Sequence, residues 1–195
     1  MKTASIVINA VIAAATLVIL VRFFRKDGEW QLRGGLKAFR YFTVLSNAFC
    51  AVAALMMAVG QLGGAPSRLV LLMKYLGTVS VTVTLLTVFL FLGPTQGGYG
   101  ELLRGENLYM HLIGPVLAIV SYRFLERQDM TFATALTGLV PVLLYGALYL
   151  YRVVLSPGDS RWEDFYGFNK SGRWPISCAM MIAGTFVVCL LLWIG

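Results

Sequence analysis

Six long apolar runs, separated by short polar connections, constrain this chain more than any other feature of its sequence. The runs cover residues 4–24, 39–62, 69–92, 108–125, 132–151 and 175–194. Each is close to the roughly 20 residues that a helix needs to cross the hydrocarbon core of a bilayer. The sequence therefore predicts an all-α polytopic membrane protein, in which residues 1–195 form a single bundle of six transmembrane helices.

The overall composition agrees with a membrane protein. Hydrophobic residues make up 58% of the chain and charged residues only 13%, whereas about 25% of residues are charged in soluble domains. The first run is followed by the basic stretch 22–26 and not by a small-residue cleavage site, so we expect it to remain as a helix. The expected location is the cell membrane, which in a bacterium is the inner membrane.

The distribution of positive charge predicts the orientation. Of the 16 Lys and Arg residues, eleven lie on the side of the odd-numbered loops and five on the side of the termini. By the positive-inside rule the odd-numbered loops are cytoplasmic and both termini lie outside. We therefore attribute the net charge of +7 to topology and expect membrane lipids, and no nucleic acid, as partners. The sequence leaves the oligomeric state open.

Three polar residues share one face at the start of the second run. Thr43, Ser46 and Asn47 in the stretch "FRYFTVLSN" are three or four residues apart, which places them together on a helix. The chain's single histidine, His111, lies about one turn into the fourth run, and an ionisable residue at that depth is a functional-site hypothesis by default. Both runs begin at odd-numbered loops, so Thr43 and His111 are expected on one membrane face at similar depth.

A hydroxyl beside an imidazole is the arrangement of an activated nucleophile. Thr43 would attack an acyl carbon while His111 removes the hydroxyl proton. Ser46 is a rival nucleophile, and either Glu106 or Asp164 would orient the imidazole. The candidate substrate- or oxyanion-binding residues are Ser46, Asn47, Tyr166 and Asn169, the last two from the fifth loop, which returns to the same face.

A structural interpretation of the same residues stays open. Thr43, Ser46, Asn47 and His111 also fit a polar seam between packed helices, in a non-enzymatic membrane protein such as a small transporter or a lipid-binding scaffold. One His without a His or Cys partner at its depth gives no set of metal ligands. We expect no metal, and the hydrolytic mechanism requires no cofactor.

Three further expectations concern helix geometry. Lys74, near the start of the third run, is expected to reach the interface with its ammonium group. The Thr and Ser residues of that run are expected to bond the carbonyl four residues earlier or a neighbouring helix. Pro115, inside the fourth run, should kink the helix or free a carbonyl.

The sequence resembles a known family at three segments, "RYFTVLSN", "MHLIGPVLAIVSY" and "FYGFNKSGRWP". This is the androgen-induced protein family, which includes the androgen-dependent regulator of tissue-factor-pathway inhibitor and bacterial six-span relatives. Eukaryotic members are threonine hydrolases that cleave fatty acid esters of hydroxy fatty acids inside a membrane, using one Thr and one His. The resemblance implies a six-span fold, a lipid ester substrate, and roles of nucleophile and base for Thr43 and His111.

Overall fold

The computed structural model describes residues 1–26 and 28–194, and this part of the chain is predominantly helical. Within these described residues, six helices are long and apolar enough to span a membrane, and we call them the first to sixth spans. They are Lys2–Phe23, Phe42–Leu62, Arg68–Thr95, Glu106–Glu126, Phe132–Leu155 and Trp174–Ile194. The predicted all-α polytopic fold is confirmed.

The first two spans are continuous α-helices joined by a short structured loop. The first span is α1 (Lys2–Phe23) and the second is α3 (Phe42–Leu62). The loop holds an antiparallel ribbon, β1 (Arg25–Lys26) with β2 (Glu29–Trp30), and helix α2 (Leu32–Ala38). The second span begins three residues later than predicted because Tyr41 has extended backbone angles and caps α3, so the preceding residues form a turn.

The third and fourth spans contain π-helical segments. The third span comprises α4 (Arg68–Thr87), a π-helix (Val88–Leu92) and α5 (Gly93–Thr95). The fourth comprises α6 (Glu106–Leu108), a π-helix (Tyr109–Ile113), α7 (Gly114–Ser121) and a second π-helix (Tyr122–Glu126). Pro94 and Pro115 each follow a π-helix by two residues, and proline cannot donate the hydrogen bond of a regular α-helix.

The remaining spans are joined by the fifth loop. The fifth span comprises α8 (Phe132–Leu136), α9 (Leu139–Leu150) and a π-helix (Tyr151–Leu155), and the sixth is α10 (Trp174–Ile194). Between them lie two 3₁₀ turns, Gly158–Ser160 and Lys170–Gly172. By internal contacts the chain divides into two compact units, unit 1 (Met1–Asp129) and unit 2 (Met130–Gly195). A single domain over the whole chain stays a prediction.

An apolar layer lies at the centre of unit 1. It consists of Ile12, Cys50, Ala54, Val81 and Ala118, which come from all four spans of the unit. The α3 and α4 backbones approach closely here, since a Cβ on Gly77 would lie 3.0 Å from the Cα of Cys50. Such close approach by small residues is how membrane helices gain packing without a hydrophobic driving force.

The hydroxyl groups of the third span behave as the sequence predicted. Within α4, four of them donate to the carbonyl four residues earlier, as seen for Thr78, Ser80, Thr82 and Thr84. These bonds satisfy the side chains inside their own helix, which removes the cost of leaving a hydroxyl without a partner. Thr84 also contacts a neighbouring helix, and this contact belongs to the site described next.

Candidate functional site

The structure brings Thr43 and His111 into contact, where the topology argument predicted one membrane face and similar depth. Oγ1 of Thr43 lies 3.4 Å from Nε2 of His111. Thr43 is the second residue of α3 and is half-buried, whereas the His111 residue is only 7% exposed. The contact is longer than an ideal hydrogen bond, but catalytic hydrogen bonds are often long until substrate binds. The catalytic roles of the two residues stay predictions.

The other ring nitrogen of His111 is held by a backbone carbonyl. Nδ1 lies 2.6 Å from the carbonyl oxygen of Leu102. A carbonyl can only accept a hydrogen bond, so Nδ1 carries the proton, and Nε2 of the neutral ring presents its lone pair to Thr43. The ring is thereby fixed in the tautomer that a general base requires.

We expected a carboxylate to orient His111, but the Leu102 carbonyl takes that position. The single Nδ1 proton is used by Leu102. Glu106 forms an ion pair with Arg22, at 3.2 Å. Asp164, in unit 2, accepts bonds from the Tyr149 hydroxyl and from two backbone N–H groups of the fifth loop.

The segment that carries Leu102 is tied to the third and fourth spans. The hydroxyl of Tyr99 donates to the carbonyl of Phe89 at 2.9 Å, and the two rings stack. The Tyr99 ring fills the space where Gly93 has no side chain, since a Cβ there would lie 2.0 Å from the ring. Asn107 donates to the carbonyl of Glu101 at 3.1 Å. These contacts hold the carbonyl that orients the imidazole.

The π-helix around His111 alters which backbone carbonyls can accept hydrogen bonds from outside the helix. The N–H of Gly114 donates to the carbonyl of Tyr109, five residues earlier, and not to that of Met110 as in a regular α-helix. Pro115 has no N–H to offer either. The carbonyl of Met110 therefore accepts from outside its own helix, as predicted for a carbonyl freed by Pro115.

Asn47 uses this carbonyl to join the second and fourth spans. Its Nδ2 donates to the carbonyl of Thr43 at 2.8 Å and to the carbonyl of Met110 at 3.0 Å. Both amide protons are engaged, so in this arrangement Asn47 has none left for an oxyanion. The amide instead links the backbones beside the two candidate catalytic residues, Thr43 and His111.

Ser46 joins the second span to the third. Its Oγ lies 2.8 Å from Oγ1 of Thr84 and 3.2 Å from the carbonyl oxygen of Thr43. Ser46 is 2% exposed, and these contacts give its hydroxyl partners away from His111. Of the two rival hydroxyls, only that of Thr43 contacts the imidazole among the contacts of the described residues.

The two loop residues predicted for substrate binding lie in unit 2. The backbone N–H of Asn169 donates to Oδ2 of Asp164 at 2.8 Å, and that of Tyr166 donates to the Tyr149 hydroxyl at 3.2 Å. The ring of Tyr166 packs against Tyr149, with ring centroids 5.2 Å apart. Their predicted roles in substrate or oxyanion binding stay predictions.

An open apolar groove lies beside the site in unit 1. It has a volume of about 440 Å³, and its walls include Ala14, Val18, Ile19 and Tyr109, with the Arg22–Glu106 ion pair at its edge. Ile19 packs in one cluster with Val44 and Met110, the chain neighbours of Thr43 and His111. The volume of the groove is within the usual range for ligand pockets.

Sequence reasoning missed a second group of buried polar residues, at the other end of unit 1. Lys74 is fully buried and lies 3.3 Å from a carboxylate oxygen of Glu126. The expectation that Lys74 reaches the interface is wrong, because this buried carboxylate holds its ammonium group inside the protein. We call Lys74, Glu126 and their partners Ser5, Asn9 and Gln61 the Lys74–Glu126 cluster. A signal was present, since Lys74 and Asn9 both lie inside apolar runs.

Comparisons with known proteins add no relative. No family model matches the chain, and neither the curated proteins nor the solved structures gave a match. The family resemblance therefore rests on the three quoted segments. Among residues 1–26 and 28–194, no three His, Cys, Asp or Glu side chains gather in a way that would hold a metal ion.

Proposed function

We propose that this protein is an intramembrane threonine hydrolase that cleaves a lipid ester of the fatty acid ester of hydroxy fatty acid type. The observation that carries the proposal is the contact between Thr43 Oγ1 and His111 Nε2 at 3.4 Å, with Nδ1 of the same ring on the Leu102 carbonyl. A hydroxyl nucleophile needs a base whose lone pair faces it. The neutral imidazole provides that lone pair here.

The reaction has two halves. Oγ1 of Thr43 attacks the ester carbonyl carbon while its proton moves to Nε2 of His111. The imidazolium returns the proton to the departing alkoxide, and the acyl group remains on Thr43. Water then attacks this acyl-enzyme as His111 takes the water proton, the bond from the acyl carbon to Thr43 Oγ1 breaks, and the imidazolium returns the proton to Oγ1, so that the carboxylic acid leaves and Thr43 and His111 are restored. The Leu102 carbonyl stabilises the imidazolium in both halves through the Nδ1 proton.

The start of α3 supplies electrostatic stabilisation for the oxyanion. Thr43 is the second residue of this helix. The positive end of the helix dipole lies at the same place. An oxyanion formed on the acyl carbon bonded to Thr43 develops near this end, where such stabilisation contributes most to the rate.

The groove supports an apolar substrate. Its walls are mostly apolar, with the Arg22–Glu106 ion pair at the edge, and it is open, so a lipid chain can reach it sideways from the bilayer while the ester lies near Thr43. We assign the protein to the cell membrane, with the odd-numbered loops cytoplasmic and the termini outside, on the basis of the positive-inside rule. Membrane lipids then surround the protein and also include its substrate.

An activity-based probe tests the nucleophile. We expect a fluorophosphonate to label the purified protein in detergent and Thr43→Ala to abolish labelling, because the probe reacts with an activated hydroxyl. The matched control is Thr82→Ala, since Thr82 bonds only its own helix in the described structure. Labelling that survives Thr43→Ala would exclude Thr43 as the nucleophile.

A second variant tests the base. His111→Ala should lower ester hydrolysis by about 10²–10⁴-fold, the usual contribution of general acid–base catalysis, while the protein remains folded in detergent. Thr82→Ala again serves as control. A loss of only twofold would favour the interpretation of Thr43 and His111 as a packing seam.

A non-enzymatic small transporter is the second candidate function. The observation that favours it is the Lys74–Glu126 cluster, because ionisable residues inside a membrane protein often mark ion or solute pathways. The hydrolysis assay distinguishes the two candidates. A transporter would turn over no ester, and its transport in vesicles would survive Thr43→Ala.

A further inference from the structure

The Lys74–Glu126 cluster and the Thr43–His111 contact occupy opposite ends of unit 1. Gln61 of the cluster lies 18 residues after Thr43 along α3, which corresponds to about 27 Å. The apolar layer of unit 1 separates them, since Cys50 and Ala54 lie between these two residues on α3. The cluster therefore requires its own explanation.

The cluster joins all four spans of unit 1 through hydrogen bonds. Oε1 of Glu126 accepts from the Ser5 hydroxyl at 2.6 Å and from the Asn9 amide. The Lys74 ammonium donates to Oδ1 of Asn9 at 2.5 Å, and the Gln61 amide donates to Ser5 at 2.9 Å. The charges of Lys74 and Glu126 compensate each other inside this network.

Three oxygen atoms of the cluster region lack a hydrogen-bond partner among the described residues. They are Oε1 of Gln61, the hydroxyl of Tyr122 and Oε2 of Glu126, of which the last has only the ion-pair contact with Lys74. Gln61 is 8% exposed and Tyr122 2% exposed, and Tyr122 lies one helical turn before Glu126, on the same face. Buried polar atoms without partners are costly, and the Gln61 and Glu126 oxygens are surplus acceptors that favour a ligand that brings protons.

Stability alone does not account for a buried ion pair. Apolar side chains of similar volume are often at least as stabilising in such a position. In a membrane protein, carboxylates and amines at depth commonly lie on proton or ion pathways. The surplus acceptors and the ion pair together point to a site that binds protons.

We propose that the Lys74–Glu126 cluster is a proton-binding site, independent of the proposed hydrolase site. A hydronium ion from the side where α1 begins transfers its proton to Oε2 of Glu126, which leaves water and a neutral carboxylic acid. Lys74 then loses its counter-charge, so the contact between the third and fourth spans opens. The path is short, because Ser5 is the fourth residue of α1 and Glu126 is the last residue of its span.

The ionisable groups around Glu126 are few. Lys74 faces it from α4, Tyr122 belongs to its own span, and α3 contributes the thiol of Cys50. Helix α1 contributes neutral groups, those of Ser5 and Asn9. Arg123 and Arg127 flank Glu126 along the chain. Among the ion pairs found in residues 1–26 and 28–194, that of Lys74 is the one that protonation of Glu126 would leave without its counter-charge.

Infrared difference spectroscopy on the full-length protein in detergent tests the proposal. As the pH is lowered we expect a carbonyl stretching band of a protonated, buried carboxyl group, and Glu126→Gln should remove it. The matched control is Glu106→Gln, because Glu106 is a partly exposed carboxylate of the same span. A band that Glu126→Gln leaves unchanged would overturn the proposal, as would the absence of such a band over the whole pH range in which the protein stays folded.

A second variant covers the case in which Glu126→Gln fails to fold. Glu126→Asp keeps the carboxyl group and withdraws it by one methylene, so it should move the frequency and the midpoint of the band while the fold persists. A band that stays at the same frequency and midpoint in Glu126→Asp would assign it to another carboxyl group and overturn the proposal.

Discussion

The imidazole of His111 lies between two groups of different hydrogen-bonding character. The Leu102 carbonyl can only accept, whereas the Thr43 hydroxyl can donate. A histidine that merely packs between helices needs one hydrogen-bond partner. Here one partner only accepts and the other can donate, and this combination leaves the ring in one tautomer. In this tautomer Nε2 can accept a hydrogen bond from the Thr43 hydroxyl, and the Asn47 amide bonds the backbone beside both residues.

Asn47 is a positioning residue in the proposed reaction. Asn47→Ala removes the bonds to the Thr43 and Met110 carbonyls, so the two spans lose the link that fixes Thr43 against His111. A misplacement of about 1 Å costs on the order of 10²-fold. We expect kcat for ester hydrolysis to fall by about that factor while KM changes little, since Asn47 is buried away from the groove.

A purely structural role for Asn47 predicts a different pattern. It would lower the thermal unfolding midpoint of the protein in detergent and leave kcat of the folded fraction within twofold of the wild type. Measuring kcat, KM and the unfolding midpoint on the same preparation separates the two roles, and Thr82→Ala provides the reference for the loss of one hydroxyl within a span.

The π-helix Tyr109–Ile113 connects a sequence feature to the site. Pro115 cannot donate, and Gly114 donates to Tyr109, so the Met110 carbonyl is left to Asn47. Single π-turns within helices are frequent at functional sites, and here the turn supplies the acceptor that joins the second and fourth spans. A side chain added at Gly114 would disturb this hydrogen bonding between the second and fourth spans.

Gly114→Ala tests the role of the π-helix Tyr109–Ile113 in the proposed reaction. A Cβ at this position would lie 3.2 Å from Oδ1 of Asn47 and 3.2 Å from the carbonyl oxygen of Tyr109, which is tighter than an ordinary contact. The Asn47 amide must shift, so we expect a clear loss of hydrolysis. Alanine favours a helix over glycine by about 1 kcal/mol, so helix content should not fall.

Gly184→Ala is the matched control for this prediction. Gly184 lies within α10, and a Cβ there would meet nothing within 4 Å. It should leave hydrolysis unchanged. Equal activity of Gly114→Ala and the wild type, with circular dichroism unchanged in both variants, would contradict the proposed role of the π-helix.

At the scale of the whole molecule, hydropathy predicts the number of spans because the bilayer imposes one length on every spanning helix. Counting spans places Thr43 and His111 on one face at similar depth, since alternate crossings return to the same face, and the structure adds the contact between them. Leu102 was not predictable in this way, because a carbonyl group is common to every residue and only the loop's path selects it.

The buried charges were missed for a related reason. Glu126 lies one residue beyond the predicted fourth run, 108–125, and a lysine near a helix end usually reaches the interface. Only the approach of α1, α4 and the fourth span to one another reveals Asn9, Lys74 and Glu126 as one network. Such proximity is a property of packing and leaves no local pattern in the sequence.

Paired substitutions measure what the Lys74–Glu126 cluster contributes to the stability of the molecule. Lys74→Met and Glu126→Leu each leave one buried charge without its partner, so each alone should lower the free energy of unfolding by about 3–5 kcal/mol. The double variant removes both charges and replaces them with apolar side chains, so it should cost less than either single variant. Equilibrium unfolding of the four proteins in detergent gives the comparison. A double variant less stable than both single variants would mean that Lys74 and Glu126 stabilise the fold independently, through Asn9 and Ser5, and not as a pair.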